Sequence, residues 1–327
     1  MYRAGDHVSP ARTSLHAMLT RCALLVVAFA LTLSGSRLAA QFSTTTNLVV
    51  LNVRVTDGDG KHVGGLTEQS FAVYEDGRPQ AITLFADEDA PVTVGLIIDS
   101  SVSMWAITDK LIAGATAFAA ASHPGNDLFA IAFNDERWPA LPAREPFTSD
   151  AAVLRTALTQ VVKPQGRTAL FDAINAGLAY ADRGGHPRKA LVVLSDGGDN
   201  ASTSTFDEVV TKTQSSNTVI YAVALVDPVE NGARPEVLRR LARSSGGEAL
   251  SPKNIEEVQE ALGRIALDIR RSYVLGYVPA GSKPGTRHAL RVAASMPDRR
   301  GLRVRTREEY REAPAETRAN DGEAVTP

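Results

Sequence analysis

Across residues 91–270, short apolar runs of strand length alternate with longer segments whose apolar residues recur at helical spacing. The runs Val92–Ile98, Asp127–Phe133 and Lys189–Ser195 are separated by such helical segments. Nearly continuous apolar strands must be covered on both faces, and intervening helices let neighbouring strands run parallel. The alternation therefore predicts an α/β domain with a doubly wound, mostly parallel, Rossmann-like sheet over residues 91–270.

The first apolar run ends abruptly in a carboxylate. Asp99 closes the run, and Ser101 and Ser103 follow at alternate positions. In a sheet of this kind ligands bind at the carboxyl ends of the strands, and oxygen ligands suit a hard cation such as Mg²⁺. Asp-x-Ser-x-Ser alone is a weak signal, and the alternative interpretation is that Ser101 or Ser103 caps the helix beginning near Met104.

Two later segments add oxygen ligands at the same predicted edge of the sheet. Thr168 ends Gln165-Gly-Arg-Thr, on a loop before a helix, and Asp196 follows the strand that ends near Leu194. Asp199 and Asn200, further along that second loop, are interpreted as turn formers rather than ligands. The predicted metal ligands are Asp99, Ser101, Ser103, Thr168 and Asp196.

This set resembles the metal-ion-dependent adhesion site of von Willebrand factor type A (VWA) domains, which combines Asp-x-Ser-x-Ser with a distal Thr and a distal Asp. All five elements occur in that order within residues 91–270. The resemblance implies bound Mg²⁺, with Mn²⁺ or Ca²⁺ as alternatives, and a protein partner whose Asp or Glu completes the coordination. Arg167 departs from the pattern, in which a small residue is usual, and would either crowd the site or add a positive rim.

The segments on either side of this domain have strand-like patterns. Residues 41–90 contain short β-branched runs with turn residues between them, and residues 271–311 return to the same pattern. Neither segment has enough strands to bury a core alone, so we expect them to pair as one small β domain flanking the α/β domain. Leu66–Gly77 and Ser272–Tyr277 also resemble the flanks of secreted bacterial proteins that carry a VWA-related domain.

The two ends of the chain differ from the rest. Residues 1–40 combine arginines, an apolar stretch of about a dozen residues and a small-residue exit ending in Ala40, which is typical of a secretory signal peptide. An uncleaved anchor is the alternative, although the stretch is shorter than the roughly 20 residues that span a bilayer. We expect no membrane span after cleavage, a secreted, periplasmic or cell-surface location, and a disordered tail over residues 312–327.

Composition limits the function further. Removal of residues 1–40 changes the formal charge from −2 to −5 and takes away Cys22, the only cysteine. A mildly acidic product is not expected to bind nucleic acid, because it lacks a dense basic face. The four mature histidines (His62, His123, His186 and His288) are interpreted as isolated surface residues, and Trp105 and Trp138 as core-packing residues near the metal edge.

The sequence therefore predicts a non-enzymatic, metal-dependent adhesion or protein-binding module. One alternative is a structural envelope protein whose metal stabilises the fold. The least favoured alternative is a hydrolase or phosphatase, because the second Asp that a strand-end phosphatase needs is replaced by Ser101, and no nucleophile-elbow, zincin or P-loop motif occurs.

Overall fold

The computed structural model describes residues 48–312, except residues 88, 226–232, 255 and 282. The predicted signal peptide over residues 1–40 and the predicted disordered tail, apart from Glu312, lie outside the described residues. Within this part of the chain, every helix is too short or too polar to cross a bilayer.

The central sheet has six strands in the order β10-β9-β8-β5-β6-β7. Every adjacent pair is parallel except β6 and β7, which confirms the predicted doubly wound, mostly parallel sheet. The chain runs outward from β5 in one direction to β6 and then returns to place β8 on the other side of β5. The strands are β5 (Thr93–Asp99), β6 (Asp127–Phe133), β7 (Arg137–Pro139), β8 (Lys189–Ser195), β9 (Thr218–Ala224) and β10 (Ala249–Leu250).

Six α-helices cover the two faces of this sheet. They are α1 (Thr108–Ala121), α2 (Ala151–Val161), α3 (Leu170–Ala181), α4 (Phe206–Ser215), α5 (Pro235–Ser245) and α6 (Glu256–Arg270). Apolar residues of α1, α2 and α6 form one buried cluster with the sheet, and those of α3, α4 and α5 form another on the opposite face. Along β5, Leu96 and Ile98 enter the first cluster and Ile97 the second, as alternating strand side chains require.

The flanking segments form two antiparallel sheets, of four strands each, where one sheet was expected. Their orders are β13-β1-β11-β4 and β14-β12-β2-β3, so each mixes strands from before and after the α/β domain. The strands are β1 (Val49–Thr56), β2 (Phe71–Glu75), β3 (Arg78–Gln80), β4 (Leu84–Ala86), β11 (Tyr273–Tyr277), β12 (Arg287–Ala294), β13 (Arg303–Arg305) and β14 (Glu309–Arg311).

The second sheet has a physical reason in the burial pattern of the strands. Alternate residues of β1 and β12 are buried, so each strand has one apolar face to cover. Residues of both sheets contribute to a single buried cluster, including Leu51 and Tyr273 from the first sheet and Val73 and Leu290 from the second. Two sheets facing each other bury these faces against one another.

A buried arginine joins the two domains where the chain passes between them. Arg188, directly before β8, donates hydrogen bonds to the carbonyl oxygens of Ala90 (2.9 Å), Ile269 (2.7 Å) and Ser272 (3.0 Å). Ala90 lies on the segment that enters the α/β domain, and Ser272 lies on the segment that leaves it. One guanidinium group therefore binds both segments that connect the two domains.

Replacement of this arginine should destabilise the protein strongly. We expect Arg188→Met to lower the free energy of unfolding by about 3 kcal/mol, because three carbonyl groups at a buried position lose their donors. Urea unfolding measures the change, with Arg155→Met at an exposed position of α2 as the control, expected within about 0.5 kcal/mol of the wild type. Equal unfolding energies for the two variants would contradict the role given to Arg188.

Candidate metal site at the sheet edge

The fold brings four of the five predicted ligands to the carboxyl edge of two neighbouring strands. Asp99 is the last residue of β5, Ser101 and Ser103 follow it, and Asp196 comes directly after β8, which pairs with β5. The direction of strand addition reverses around β5 and β8, and such a switch point leaves a crevice in which ligands bind in open α/β sheets.

The fifth residue reaches this edge through hydrogen bonds between loops. The backbone N–H of Gln165 donates to the carbonyl oxygen of Ser100 (2.9 Å), and the N–H of Val102 donates to the carbonyl oxygen of Gly166 (3.4 Å). Gly166 has φ of +68°, in the left-handed region that favours glycine. Thr168 therefore lies on a loop fixed against the turn that carries Ser101.

Asp99 is fully buried, and its two oxygens are held in different ways. One accepts a hydrogen bond from the backbone N–H of Ser101 (2.9 Å), and the other accepts from the hydroxyl of Ser195 (2.7 Å). Burial, and to a smaller extent the negative charge of Asp196, raise the pKa of Asp99 to about 6 against the effect of these bonds.

The two serine hydroxyls lie together, with 3.1 Å between the Oγ atoms of Ser101 and Ser103. Ser101 precedes a 3₁₀ helix over Val102–Ile107, but its hydroxyl makes no capping bond to that helix. By contrast, the side chain of Asp150 caps α2 by accepting from Ala152 and Val153. The geometry at Ser101 therefore departs from the helix-cap alternative and leaves its hydroxyl oriented toward Ser103.

Three residues position the predicted ligands or their loops, a role that the sequence analysis did not assign to them. Ser195 orients Asp99, and Asn200 holds Thr168 on both sides: its side-chain oxygen accepts from the N–H of Thr168 (2.9 Å), and its own N–H donates to the Thr168 carbonyl (2.9 Å). Asp199 accepts from the N–H of Phe171 (3.0 Å). Asp199 and Asn200 thus anchor the loop that carries Thr168 as well as forming a turn. The sequence signal that could have indicated this role is their position shortly after Asp196, at the end of a strand.

The structure places the unusual Arg167 in an ion pair. Its Nε lies 2.7 Å from Oδ1 of Asp135, and its backbone N–H donates to Oδ2 of the same carboxylate (2.6 Å). The Arg167 side chain is largely exposed, so it does not fill the centre of the site, and Asp135 balances its charge. The positive charge of Arg167 at this edge is therefore paired with Asp135.

The donor set fits a hard divalent cation. It consists of two carboxylates and three hydroxyls, all oxygen ligands of the kind that Mg²⁺ prefers. Among the residues that the structure describes, no Lys or Arg forms an ion pair with Asp99 or Asp196. The edge therefore carries a buried negative charge that the described side chains leave without a positive counterpart.

Two expectations about other side chains were wrong. Trp105 is 76% exposed on the 3₁₀ helix that follows Ser101, so it lies on the surface beside the site rather than in the core. His288 is buried, and its Nδ1 lies 2.8 Å from Asp76 and 3.5 Å from Glu75. The pairing of β12 with β14 places His288 opposite Tyr310, whose ring stacks on it, and the isolation of this histidine in the sequence could not indicate such a contact.

Glu75, Asp76 and His288 also lie close enough together to hold a metal ion. Glu75 already accepts hydrogen bonds from the hydroxyls of Tyr277 (2.6 Å) and Tyr310 (3.2 Å), and Asp76 accepts from the N–H of Ala289 (2.9 Å). These bonds satisfy the cluster internally, so it is a polar network of the β domain.

The doubly wound sheet and the Asp-x-Ser-x-Ser turn at its carboxyl edge together define a VWA-like fold. No protein-family model matches the chain, and no curated protein matches it significantly.

Solved structures similar to the chain include VWA domains. An aerotolerance-related membrane protein from Bacteroides fragilis is also similar, with 18% identity, a TM-score of 0.42, and coverage of 54% of this chain and 98% of that one. A von Willebrand factor type A protein from Catenulispora acidiphila has 12% identity, a TM-score of 0.47, and coverage of 83% and 76%. The vWF domain of the type V pili tip protein Mfa5 from Porphyromonas gingivalis has 21% identity, a TM-score of 0.31, and coverage of 35% and 40%.

Removal of the buried charge at Asp99 should stabilise the metal-free protein. Because the folded-state pKa is raised, the ionised carboxylate lowers stability as the pH rises from the unfolded value through about 6. We expect Asp99→Asn to have a higher melting temperature than the wild type at pH 8 in EDTA, and the difference to shrink toward pH 4. Thermal melts across this pH range measure it, and a variant that melts lower at pH 8 would contradict the assigned cost of burial.

Proposed function

We propose that the chain is an exported, non-enzymatic binding protein that holds a divalent cation with Asp99, Ser101, Ser103, Thr168 and Asp196. The cation is Mg²⁺, with Mn²⁺ and Ca²⁺ as alternatives, and it binds an Asp or Glu side chain of a protein partner. The observation that carries the proposal is the pair of neighbouring strand-end carboxylates, one of them fully buried, without a basic partner among the described residues.

The ligand types favour binding over catalysis. Hydroxyl ligands are neutral and leave the cation electrophilic, so an incoming carboxylate gains a strong charge-assisted bond. Asp99 and Asp196 belong to the proposed metal ligands, and the neighbouring Ser195 hydroxyl already donates to Asp99. Among the described residues, the other carboxylates at this edge are engaged as well, Asp135 with Arg167 and Asp199 with the N–H of Phe171, which favours binding over general-base catalysis.

An apolar surface lies beside the proposed cation and supports a protein partner. Val102 and Trp105 are 67% and 76% exposed, and both lie within the few residues around Ser103. Exposed tryptophan is a common anchor of protein interfaces, because it buries a large rigid surface on binding. We expect the partner to present its acidic residue next to an apolar one.

Metal binding by the purified protein is the first test. We expect Mg²⁺ and Mn²⁺ to bind saturably to residues 41–327 in calorimetry, and the binding to be lost in Asp99→Ala and in Ser101→Ala/Ser103→Ala, with circular dichroism unchanged. Asp109→Ala, an exposed carboxylate on α1, is the control and should bind as the wild type does. Equal metal binding by Asp99→Ala and the control would refute the site.

Partner recognition requires a second experiment. Random-peptide display on the wild-type protein in Mg²⁺ should enrich peptides in which Asp or Glu adjoins an apolar residue, and the enrichment should disappear in EDTA and with Asp99→Ala. We expect Trp105→Ala to weaken the binding of the selected peptides about tenfold, while the affinity for Mg²⁺ stays unchanged. Selection of the same peptides with and without EDTA would show that the cation takes no part in recognition.

The burial of Asp99 also favours a second candidate, a metal that only stabilises the fold. A cation that binds the native state alone stabilises it by mass action, and the raised pKa of Asp99 marks a charge that a cation would compensate. If Mg²⁺ raises the melting temperature but peptide display selects no peptides whose binding depends on the metal, a purely structural role of the cation becomes the better account.

A further inference from the structure

A cavity of about 500 Å³ lies at the joint between the β domain and the α/β domain. Strands β1 and β13 form one side of it, and β9, β10 and α6 form the other. None of the five proposed metal ligands lines it. Its charged lining comprises five arginines and two carboxylates, a formal surplus of three positive charges: Arg54, Arg264, Arg271, Arg303, Arg305, Glu248 and Asp268.

The inner part of the cavity is a fixed ion-pair network. Asp268 accepts from Nε of Arg54 (2.9 Å) and from Arg305, and the buried hydroxyl of Tyr221 hydrogen bonds to it as well. Arg305 also donates to Glu248 (3.0 Å). Arg54 and Asp268 are both mostly buried, so these guanidinium groups are held in place before any ligand arrives.

The outer arginines carry the surplus charge. Arg271 and Arg303 are exposed, and neither forms an ion pair within the described part of the chain. Arg264 reaches Glu248 only at 3.7 Å, and that carboxylate is already shared with Arg305. Burial lowers the pKa of Arg54, whereas the negative charge of Asp268 raises it. The positive charges of Arg305 and Arg271 also lower this pKa, as expected for cations that line the same cavity.

We propose that this cavity binds a small organic anion with two or more negatively charged oxygens, of the phosphate-ester or polycarboxylate class. Planar guanidinium groups bind such oxyanions in a bidentate manner, and several of them converge here on one concave space of ligand size. Leu250, Ile265, Leu267 and Val304 supply an apolar wall beside the arginines, which suits an organic body rather than a bare ion.

Occupancy of the cavity connects the two domains. Arg303 belongs to β13 of the β domain, whereas Arg271 follows α6 of the α/β domain. An anion bound by both joins surfaces that would separate on unfolding, so it raises the melting temperature of the whole structure.

The test uses pyrophosphate and citrate as probes with the chain over residues 41–327, stripped of metal and transferred to metal-free, chelator-free buffer so that the proposed cation site takes no part. Calorimetry and thermal melts are run at constant ionic strength, with acetate as the singly charged comparison. The test variant is Arg271→Gln/Arg303→Gln. The control variant, Arg155→Gln/Arg239→Gln, removes the same charge from exposed positions on α2 and α5.

We expect saturable binding of at least one probe to the wild type and the control, and affinity weaker by about tenfold or more in the test variant. Preference for pyrophosphate identifies the phosphate class, and preference for citrate identifies the polycarboxylate class. Equal weakening in both variants, or no saturable binding of either probe at millimolar concentration, would overturn the proposal. Because no divalent cation is present, either result leaves the metal-site proposal untouched.

Discussion

The buried guanidinium of Arg188 is the contact on which the two-domain arrangement depends. It binds one carbonyl on the segment entering the α/β domain and two where the chain leaves it. A second buried arginine, Arg307, donates to the carbonyl oxygens of Val50 (2.9 Å) and Ser216 (2.7 Å) and so ties β1 to the loop before β9. Both arginines use backbone carbonyls, which orient the domains without needing a buried carboxylate.

The same strand that begins beside this joint ends at the proposed metal site. Arg188 directly precedes β8, whereas Ser195 is the last residue of this strand and Asp196 follows it. For a strand of this length, its two ends are roughly 20 Å apart. Residues 190–194 of β8, which pair with β5, are buried on both faces of the sheet, so the strand is a rigid connection between the two ends. The precise placement of Ser195 against Asp99 follows from this register.

Charge is distributed differently at the three polar centres of the molecule. The terminal nitrogens of Arg188 and Arg307 at the joint donate to carbonyl oxygens, whereas Asp99 keeps a desolvated carboxylate close to the charge of Asp196. The cavity between the domains has the opposite sign, with arginines in excess. The proposed metal site and the cavity each retain a charge of one sign that a ligand would compensate, and such charge lowers the stability of the ligand-free protein.

The amino-acid sequence by itself determined the parallel sheet and the residue types that follow its strands. Those features follow from local patterns: apolar runs of strand length, helical spacing between them, and Asp99 or Asp196 directly after a run. It also indicated that the two flanks pair with each other, because neither has enough strands to bury a core alone. Only the tertiary structure decided that the flanks form two sheets, that Asn200 holds Thr168, that His288 is buried and Trp105 exposed, and that five arginines line one cavity. The reason is that these features depend on contacts between residues far apart in the chain. Arg307 and Val50, for example, are 257 positions apart in the sequence, and no local pattern encodes their contact.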